Sequence, residues 1–281
     1  MASILVAADL SHRSDRALAR AVRIASALRL PLRVVTAVDD DLPGAVLARL
    51  IAETETDLDR VLTGLPLSSG LEISRAALSG DPATVIPAEA HGMGASCVVL
   101  GLHRPRPILD MLRETTMERL VRLIRRPVLM VGDPADRDYQ RVLAPVSFSP
   151  ACAAALRAAQ MLAPQAALRS IHALHLPYVG LTGETATGPM ARSLTAEAEA
   201  ERASWLDRFP LPEGMMAPTI EICSFGEMLD RELTGFRPDL LALGAHTRSG
   251  LAPHALGGTA ARLIRTPRCD LLIARSAPDL A

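Results

Sequence analysis

The feature of this sequence that most constrains its fold is an internal repeat with a period of about 140 residues. In the clearest segment, CVVLGLHRPR at 97–106 aligns with LLALGAHTRS at 240–249. Two more pairs of segments align in the same order: 4–21 with 142–159, and 114–131 with 257–274. Because the period is too long for a solenoid, the repeat indicates a domain that has been duplicated within one chain.

Each half of the sequence alternates short apolar segments, typical of buried strands, with longer segments of helical periodicity. The predicted strands are 4–8, 32–38, 71–78, 97–101 and 127–131 in the first half, and 141–146, 168–174, 219–224, 240–244 and 270–274 in the second. This alternation predicts an α/β fold with parallel sheets, helices on both faces and right-handed crossovers. We therefore expect two tandem, doubly wound, five-stranded, Rossmann-like domains at 1–133 and 138–276.

The composition limits the classes of partner that the protein can have. Its 281 residues carry 30 Lys and Arg against 31 Asp and Glu, which gives no support for binding nucleic acid or anionic membranes. No apolar run approaches the roughly 20 residues that span a bilayer, and the first residues favour a strand over a signal peptide. The four cysteines lack metal or redox spacing and indicate buried thiols. These observations predict a cytoplasmic protein.

A doubly wound sheet binds ligands beyond the carboxyl ends of its strands, at the point where the strand order reverses. In a five-stranded order, this crevice lies between the first and fourth strands of each half. Asp9 and Gly101 end those strands in the first half, and Ser147 and Gly244 end them in the second half. We therefore expect a crevice at these residues in each half.

The first-strand ending, the Gly-containing loop after the fourth strand and the apolar last strand resemble the universal stress protein family, in its tandem two-domain type. The resemblance covers nearly the whole chain, once per half. In the nucleotide-binding members of that family, the Asp after the first strand contacts adenine, and the glycine-rich loop receives the phosphates on its backbone amides. Other members lack the loop and do not bind ATP. The resemblance therefore implies a stress-response protein whose cofactor, where one is bound, is ATP or another adenine nucleotide.

The first half matches only part of the family pattern. Its candidate ligand-binding residues are Asp9, Gly101, His103, Arg104 and Thr115. Asp9 stands where the resemblance places the adenine-contacting acid, but Arg104 and Glu114 stand at the second and third glycine positions. A carboxylate at the start of a helix repels a phosphate, by roughly 4 kcal/mol at 4 Å and an effective dielectric of 20. We therefore predict a degraded phosphate loop in this half.

The arginines of this loop leave two alternatives. Arg104, Arg106 and Arg113 can pair with Glu114 and fill the anion site internally, which is the alternative that we favour. They can instead bind a smaller external anion.

The second half has lost the opposite part of the pattern. Its candidate ligand-binding residues are Ser147, Gly244, His246, Thr247, Gly250, Gly257, Gly258 and Thr259. Backbone amides from Gly257 to Thr259, at the start of a helix, can hold a phosphate. Ser147 replaces the expected Asp, so the preference for adenine should weaken. We predict weakened phosphate binding in this half, and the alternative is a Gly-rich turn that binds no ligand.

The histidines add little to these candidates. His103 and His246 occupy the same position in the two halves, near the expected mouth of the crevice. There a histidine can contact a phosphate. We favour the alternative, in which each histidine is a turn residue that bonds to the backbone. His172 and His175 are spaced so that they face opposite sides of a strand, and no metal site is predicted.

No Ser–His–Asp series, paired-carboxylate motif or P-loop lysine stands out in the sequence. We therefore predict a non-catalytic stress-response protein that senses a nucleotide through its second half. The alternatives are a weak ATP hydrolase or nucleotide-driven switch in that half, and a ligand-free interaction scaffold. We expect the two halves to pair through their last strands into a pseudo-twofold unit. A homodimer and an unknown protein partner are left open, and neither nucleic acid nor a membrane is expected as a partner.

Overall fold

The computed structural model describes residues 2–65, 70–102, 115–176, 188–245 and 258–276, without the side chains of His12, Arg13 and Thr259. The elements of the first repeat are β1 (Ile4–Ala7), α1 (His12–Leu28), β2 (Leu32–Val38), α2 (Gly44–Gly64), β3 (Ile73–Ser79), α3 (Pro82–Gly92), β4 (Cys97–Gly101), α4 (Thr116–Leu123) and β5 (Val128–Val131). Those of the second are β6 (Arg141–Pro145), α5 (Pro150–Leu162), β7 (Ala167–Leu174), α6 (Pro189–Arg208), β8 (Thr219–Ile222), α7 (Phe225–Gly235), β9 (Leu240–Gly244), α8 (Gly258–Arg265) and β10 (Asp270–Ala274).

These elements form two compact units. The first unit comprises residues 1–138 and 246–273, and the second comprises 139–245 and 274–281. Helix α8 and nearly all of β10 therefore pack with the first repeat, although they come from the sequence of the second. The predicted domain bounds, which follow the sequence repeat, stay a prediction.

The sheet of the first unit has the strand order β3-β2-β1-β4-β5-β10. The first five strands are parallel, and Ala7 of β1 lies in register with Val35 of β2 and Leu100 of β4. Strand β1 therefore separates β2 from β4, which confirms the predicted switch point between the first and fourth strands. Strand β10 runs antiparallel to β5, with Leu272 opposite Leu129, so the last strands of the two repeats pair with each other.

The strands of the second unit follow the order β9-β6-β7-β8, and all of them are parallel. Val142 of β6 lies in register with Leu168 of β7 and Leu240 of β9. The switch point of this unit lies between β6 and β9, at the position that corresponds to β1 and β4. Both units thus have the predicted α/β architecture with helices between parallel strands.

Two local details recur at corresponding positions of the repeats. Leu10 and Phe148 both have a left-handed backbone, with φ of 57° and 50°. For a residue with a side chain, this conformation costs about 1–2 kcal/mol. In each repeat the next residue, Ser11 or Ser149, accepts a backbone N–H bond at the start of the following helix. The repeats therefore preserve the same strand-to-helix turn, including its strain.

An ion pair is also duplicated. Nε of Arg33 on β2 lies 2.9 Å from Oε1 of Glu89 on α3. At the corresponding position of the second repeat, Nη1 of Arg169 lies 2.9 Å from Oε2 of Glu232 on α7. Each pair joins the second strand of its repeat to the third helix, so the duplication extends to side-chain contacts.

The segment that links the repeats is held within the first unit by buried charge. Asp270, which begins β10 and is fully buried, accepts the N–H groups of Gly132 at 2.8 Å and Asp133 at 3.0 Å. Its other oxygen lies 3.7 Å from Nε of Arg20 on α1. The guanidinium of Arg20 donates to the carbonyl oxygen of Arg137 at 2.6 Å. These bonds tie partly exposed backbone groups of the linker to two buried side chains.

Among the described residues, no helix is both long and apolar enough to cross a bilayer.

Candidate functional site

A pocket of about 430 Å³ lies in the first unit at the carboxyl ends of β1, β2 and β4. Ala8, Val35 and Leu100 are among the apolar side chains that form its walls, and all three are buried. Helices α3 and α4 close it with Ile86 and Leu120. The pocket lies at the switch point of the sheet, where doubly wound folds bind ligands.

The mouth of the pocket is polar. Asp9, Ser11 and Thr116 are exposed there, whereas Ser14 lines the pocket from a buried position. Asp9 is the only charged side chain among the lining residues that the structure describes. Oδ1 of Asp9 accepts the backbone N–H of Ser11 at 3.0 Å. Desolvation raises the pKa of Asp9, but hydrogen bonds from Ser11 and Ser14 outweigh it and lower the pKa below its ordinary value. Asp9 is therefore an ionised hydrogen-bond acceptor at neutral pH.

Gly101, the first glycine of the predicted loop, also lines this pocket. The next residue, Leu102, packs against Gly132, where an added Cβ would lie only 2.9 Å from Cδ1 of Leu102. A Cβ at position 132 would therefore have to displace the end of the Leu102 side chain, which lines the pocket. The predicted residues His103 and Arg104, with Glu114, lie outside the described residues.

Thr115 lies at the start of α4, and its hydrogen bonds are made within that helix. Its Oγ1 accepts the N–H of Glu118 at 3.2 Å, and its own N–H donates to Oε2 of Glu118 at 2.8 Å. This reciprocal arrangement is a capping box. A phosphate would have to displace Glu118 to use these donors, so Thr115 stabilises the helix rather than being free for a ligand.

Glu118 is a residue that sequence reasoning missed. It is buried, and Nε of Arg265 on α8 lies 2.9 Å from its Oε1. The spacing Thr-x-x-Glu at 115–118 is a sequence signature of a capping box and could have revealed it. Its carboxylate adds negative charge to the first turn of α4, where the family pattern places the phosphates.

The candidates of the second half are divided between the two units. Ser147 and Gly244 belong to the second unit, whereas Gly258 begins α8 in the first. Gly258 is exposed, and an added Cβ there would meet nothing within 4 Å. His246, Thr247, Gly250 and Gly257 lie outside the described residues, as does the side chain of Thr259.

Gly244 has a structural reason to be glycine. A Cβ at this position would lie 2.5 Å from the backbone nitrogen of Cys152 and 2.6 Å from the carbonyl carbon of Ala151. The start of α5 therefore packs directly on the end of β9, which only a glycine permits. Ser147 contacts the same helix turn, because its N–H donates to Sγ of Cys152 at 3.3 Å. Neither residue requires a ligand to explain it.

An aromatic cluster beside Ser147 was also missed. Phe148 stacks on His172 with ring centroids 4.5 Å apart, and Trp205 lies 5.9 Å from Phe148. Nε1 of Trp205 donates to the carbonyl oxygen of Ser149 at 2.8 Å. Since Phe148 stands where the first repeat has Leu10, the two repeats pack this turn with different kinds of side chain.

The thiols and carboxylates of the described residues offer little for a metal. Of the four cysteines predicted to be buried, Cys97, Cys152 and Cys269 are buried and Cys223 is partly exposed. Desolvation raises the pKa of the Cys97 thiol to about 12. Such a thiol stays protonated at neutral pH and is a poor metal ligand. Asp39, Asp40 and Asp41 form an exposed acidic group in the loop after β2, and exposed acids of this kind are common without an ion.

The fold agrees with a comparison with known families. The universal stress protein family model matches this chain twice, over residues 1–132 and 138–275. The chain belongs to the universal stress protein family. Because each repeat matches separately, the protein is of the tandem type.

Solved structures of similar fold cover the whole chain. A universal stress protein from Archaeoglobus fulgidus DSM 4304 is 16% identical, with a TM-score of 0.69, and the match covers 98% of both chains. A functionally unknown protein from Pseudomonas aeruginosa PAO1 is 20% identical, with a TM-score of 0.64, over 99% of this chain and 93% of that one. No curated protein matched this sequence. At these identities, the likeness establishes the fold alone.

Proposed function

We propose that this universal stress protein is a non-catalytic, cytoplasmic stress-response protein that senses a small adenine-containing ligand in the pocket of its first unit. The observation that carries the proposal is the pocket of about 430 Å³ at the β1–β4 switch point, with Asp9 at its mouth. Its volume lies toward the small end of the range for ligand pockets, which favours a compact ligand. Sequence analysis favours the second half, and that prediction is the main alternative.

The chemistry of the lining residues supports an aromatic ligand with a polar edge. The apolar walls suit the faces of a purine ring, and an ionised Asp9 can accept a hydrogen bond from an exocyclic amine. The family resemblance gives the same role to an Asp after the first strand. Both considerations favour adenine as the part of the ligand that enters the pocket.

The charge at the pocket disfavours a long phosphate chain. Among the described lining residues, the only charge is the negative one of Asp9. The carboxylate of Glu118 already bonds the N–H and the hydroxyl of Thr115. Since like charges repel and the capping donors are occupied, we expect affinity to fall from adenosine to AMP and further to ATP.

A hydrolytic function has less support. Among the described lining residues, Asp9 is the only candidate base beside Ser11, Ser14 or Thr116, and its lowered pKa makes it a weak base. We therefore expect binding without turnover. The weak hydrolase or switch and the ligand-free scaffold are the outcomes that the experiment below separates from this proposal.

The experiment uses a matched pair of variants, since Ala37 of β2 and Ala173 of β7 occupy corresponding positions. Ala37 lines the pocket, so Ala37→Phe fills it, while Ala173→Phe adds the same bulk to the second unit. Binding of adenosine, AMP, ADP and ATP is measured by calorimetric titration. Relative to the unmodified protein, Ala37→Phe should weaken binding about tenfold, or about 1.4 kcal/mol, and Ala173→Phe should not weaken it.

Three results would contradict the proposal. Loss of binding in Ala173→Phe alone would move the site to the second unit, as sequence analysis predicts. Phosphate release from ATP by the unmodified protein would support a hydrolase. Failure of every ligand to bind would support a scaffold.

The pairing of the repeats is also a proposal. We infer that the last strands hold the two repeats together, because β5 and β10 pair antiparallel. A further homodimer and an unknown protein partner stay predictions. Size-exclusion chromatography with light scattering distinguishes a monomer, in which this pairing is internal, from a dimer.

A further inference from the structure

A second concave site lies in the first unit, between the end of α3 and the segment that follows α4. Its volume is about 320 Å³. His91, Arg125 and Arg126 line it, together with Pro87, Ala90 and Leu123. The pocket therefore combines three basic side chains with an apolar wall, a composition that differs from the acidic mouth of the pocket at Asp9.

The acids of the two adjoining helices are paired elsewhere. Glu89, the only acid of α3, pairs with Arg33 on β2 at 2.9 Å. Glu118, the only acid of α4, pairs with Arg265 on α8 at 2.9 Å. Within the part of the chain that the structure describes, Arg125 and Arg126 have no such carboxylate partner. No described carboxylate therefore competes with an external anion for these two guanidinium groups.

The fold itself does not require these basic residues. At the corresponding positions of the second repeat, His91 is replaced by Thr234 and Arg126 by Cys269. Pro87 is replaced by the acid Asp230, and Leu123 by Thr266. Since the second repeat forms the same helices without a His–Arg–Arg group, these helices do not depend on that group, although His91 in the last turn of α3 also favours its own helix.

From these observations we infer that the pocket at His91, Arg125 and Arg126 binds a small organic phosphate monoester. Two guanidinium groups and an imidazole can donate hydrogen bonds to the three terminal oxygens of a phosphate. Leu123, exposed by 38%, and Pro87 can cover an apolar body attached to it. The site is distinct from the adenine pocket and does not depend on the proposed function of that pocket.

The probe for this site is phenyl phosphate, and inorganic phosphate and phenol test its two parts separately. We expect a dissociation constant on the order of 1 mM, because exposed charges are screened by solvent and salt. Phenyl phosphate should bind more tightly than phosphate, and phenol should bind least. In nuclear magnetic resonance spectra of the full chain, phenyl phosphate should shift the amide signals of residues 88–92 and 123–126. The same amides should shift when excess adenosine is present.

The decisive variant is Arg125→Ala/Arg126→Ala, and Arg268→Ala is its control. Arg268 occupies the position of Arg125 in the second repeat and is exposed. The double variant should weaken phenyl phosphate binding at least tenfold, or about 1.4 kcal/mol, while Arg268→Ala leaves it unchanged. Should the double variant unfold, Arg125→Lys/Arg126→Lys keeps the charge and loses only the guanidinium geometry, so a partial loss of affinity is expected.

Three results would overturn this inference. The first is equal affinity of the unmodified protein and the double variant. The second is an equal loss in Arg268→Ala, which would indicate general attraction to a basic surface. The third is displacement of phenyl phosphate by adenosine, which would place it in the other pocket.

Discussion

The turn after the first strand is the most informative comparison between the two repeats. In both, a left-handed residue is followed by a serine that accepts a backbone hydrogen bond from the next helix, at Leu10–Ser11 and at Phe148–Ser149. The residue before this pair differs: Asp9 lies at the mouth of a pocket, whereas Ser147 contacts Cys152. Duplication thus preserved the backbone of this turn and allowed the side chain before it, which in the first repeat lines a pocket, to change.

The substitutions with the largest expected difference in stability between the repeats are at the start of the last strands, where Asp270 corresponds to Pro127. Replacing Asp270 with Ala removes the carboxylate beside the buried guanidinium of Arg20, and it leaves the N–H groups of Gly132 and Asp133 without this acceptor. Removing one partner of a buried ion pair costs about 3–5 kcal/mol. Urea denaturation should therefore show this loss for Asp270→Ala.

Pro127→Ala is the matched control, and we expect it to cost less than about 1 kcal/mol. Asp270→Asn keeps an acceptor for the linker amides but loses the charge beside Arg20. Its loss of stability should therefore lie between those of Asp270→Ala and Pro127→Ala. Equal effects of Asp270→Ala and Pro127→Ala would show that the linker contacts contribute nothing to stability.

A smaller loss of stability is expected from Ala substitutions at Gly244 and Gly258, two glycines of the predicted second-half loop. Gly244→Ala places a Cβ 2.5 Å from a backbone nitrogen of α5, and the helix must shift. Overpacking of this kind costs about 1–3 kcal/mol. Gly258→Ala meets nothing within 4 Å and should change stability by less than about 0.5 kcal/mol. Thermal denaturation of the two variants tests whether Gly244 is a packing residue; similar melting temperatures would refute that role.

The smallest expected effect on stability is at Asp9, whose counterpart in the second repeat is Ser147. The folded-state pKa of Asp9 lies below its ordinary value of 3.8. Asp9 therefore contributes stability that is present above that value and is lost as the pH falls through the folded-state pKa. The stability difference between the unmodified protein and Asp9→Asn should be constant near neutral pH and should shrink on acidification below pH 3.8.

Ser147→Ala is the control for this pH dependence, because it changes the same position of the second repeat without removing an acid. Its stability difference from the unmodified protein should not change over the same acidic range. A difference for Asp9→Asn that stays constant throughout acidification would contradict the role assigned to the Ser11 and Ser14 hydrogen bonds.

Much of the fold could be predicted from the sequence, because apolar strands and amphipathic helices are local patterns. The repeat, the parallel strands and the β1–β4 switch point were all predicted. The antiparallel pairing of β5 with β10 was anticipated only through the expected pairing of last strands. That α8 and most of β10 pack in the first unit depends on contacts such as Glu118–Arg265, between residues far apart in sequence.

The candidate site could be predicted only in part. Asp9 and Gly101 were placed correctly at one crevice, since both end adjacent strands. The glycine pattern favoured the second half, yet Gly244 is explained by the approach of α5, and Thr115 by its cap on α4. A glycine required for packing and a glycine required for a phosphate have the same sequence signature.

The sequence by itself determined that this chain contains two copies of one α/β fold, because strand and helix periodicity is encoded residue by residue. Only the tertiary structure decided the volume and the walls of the pocket at Asp9, and that a basic pocket forms at His91, Arg125 and Arg126. A cavity is the space left where helices from distant parts of the chain meet the sheet. Its size depends on their separation, which no local pattern specifies.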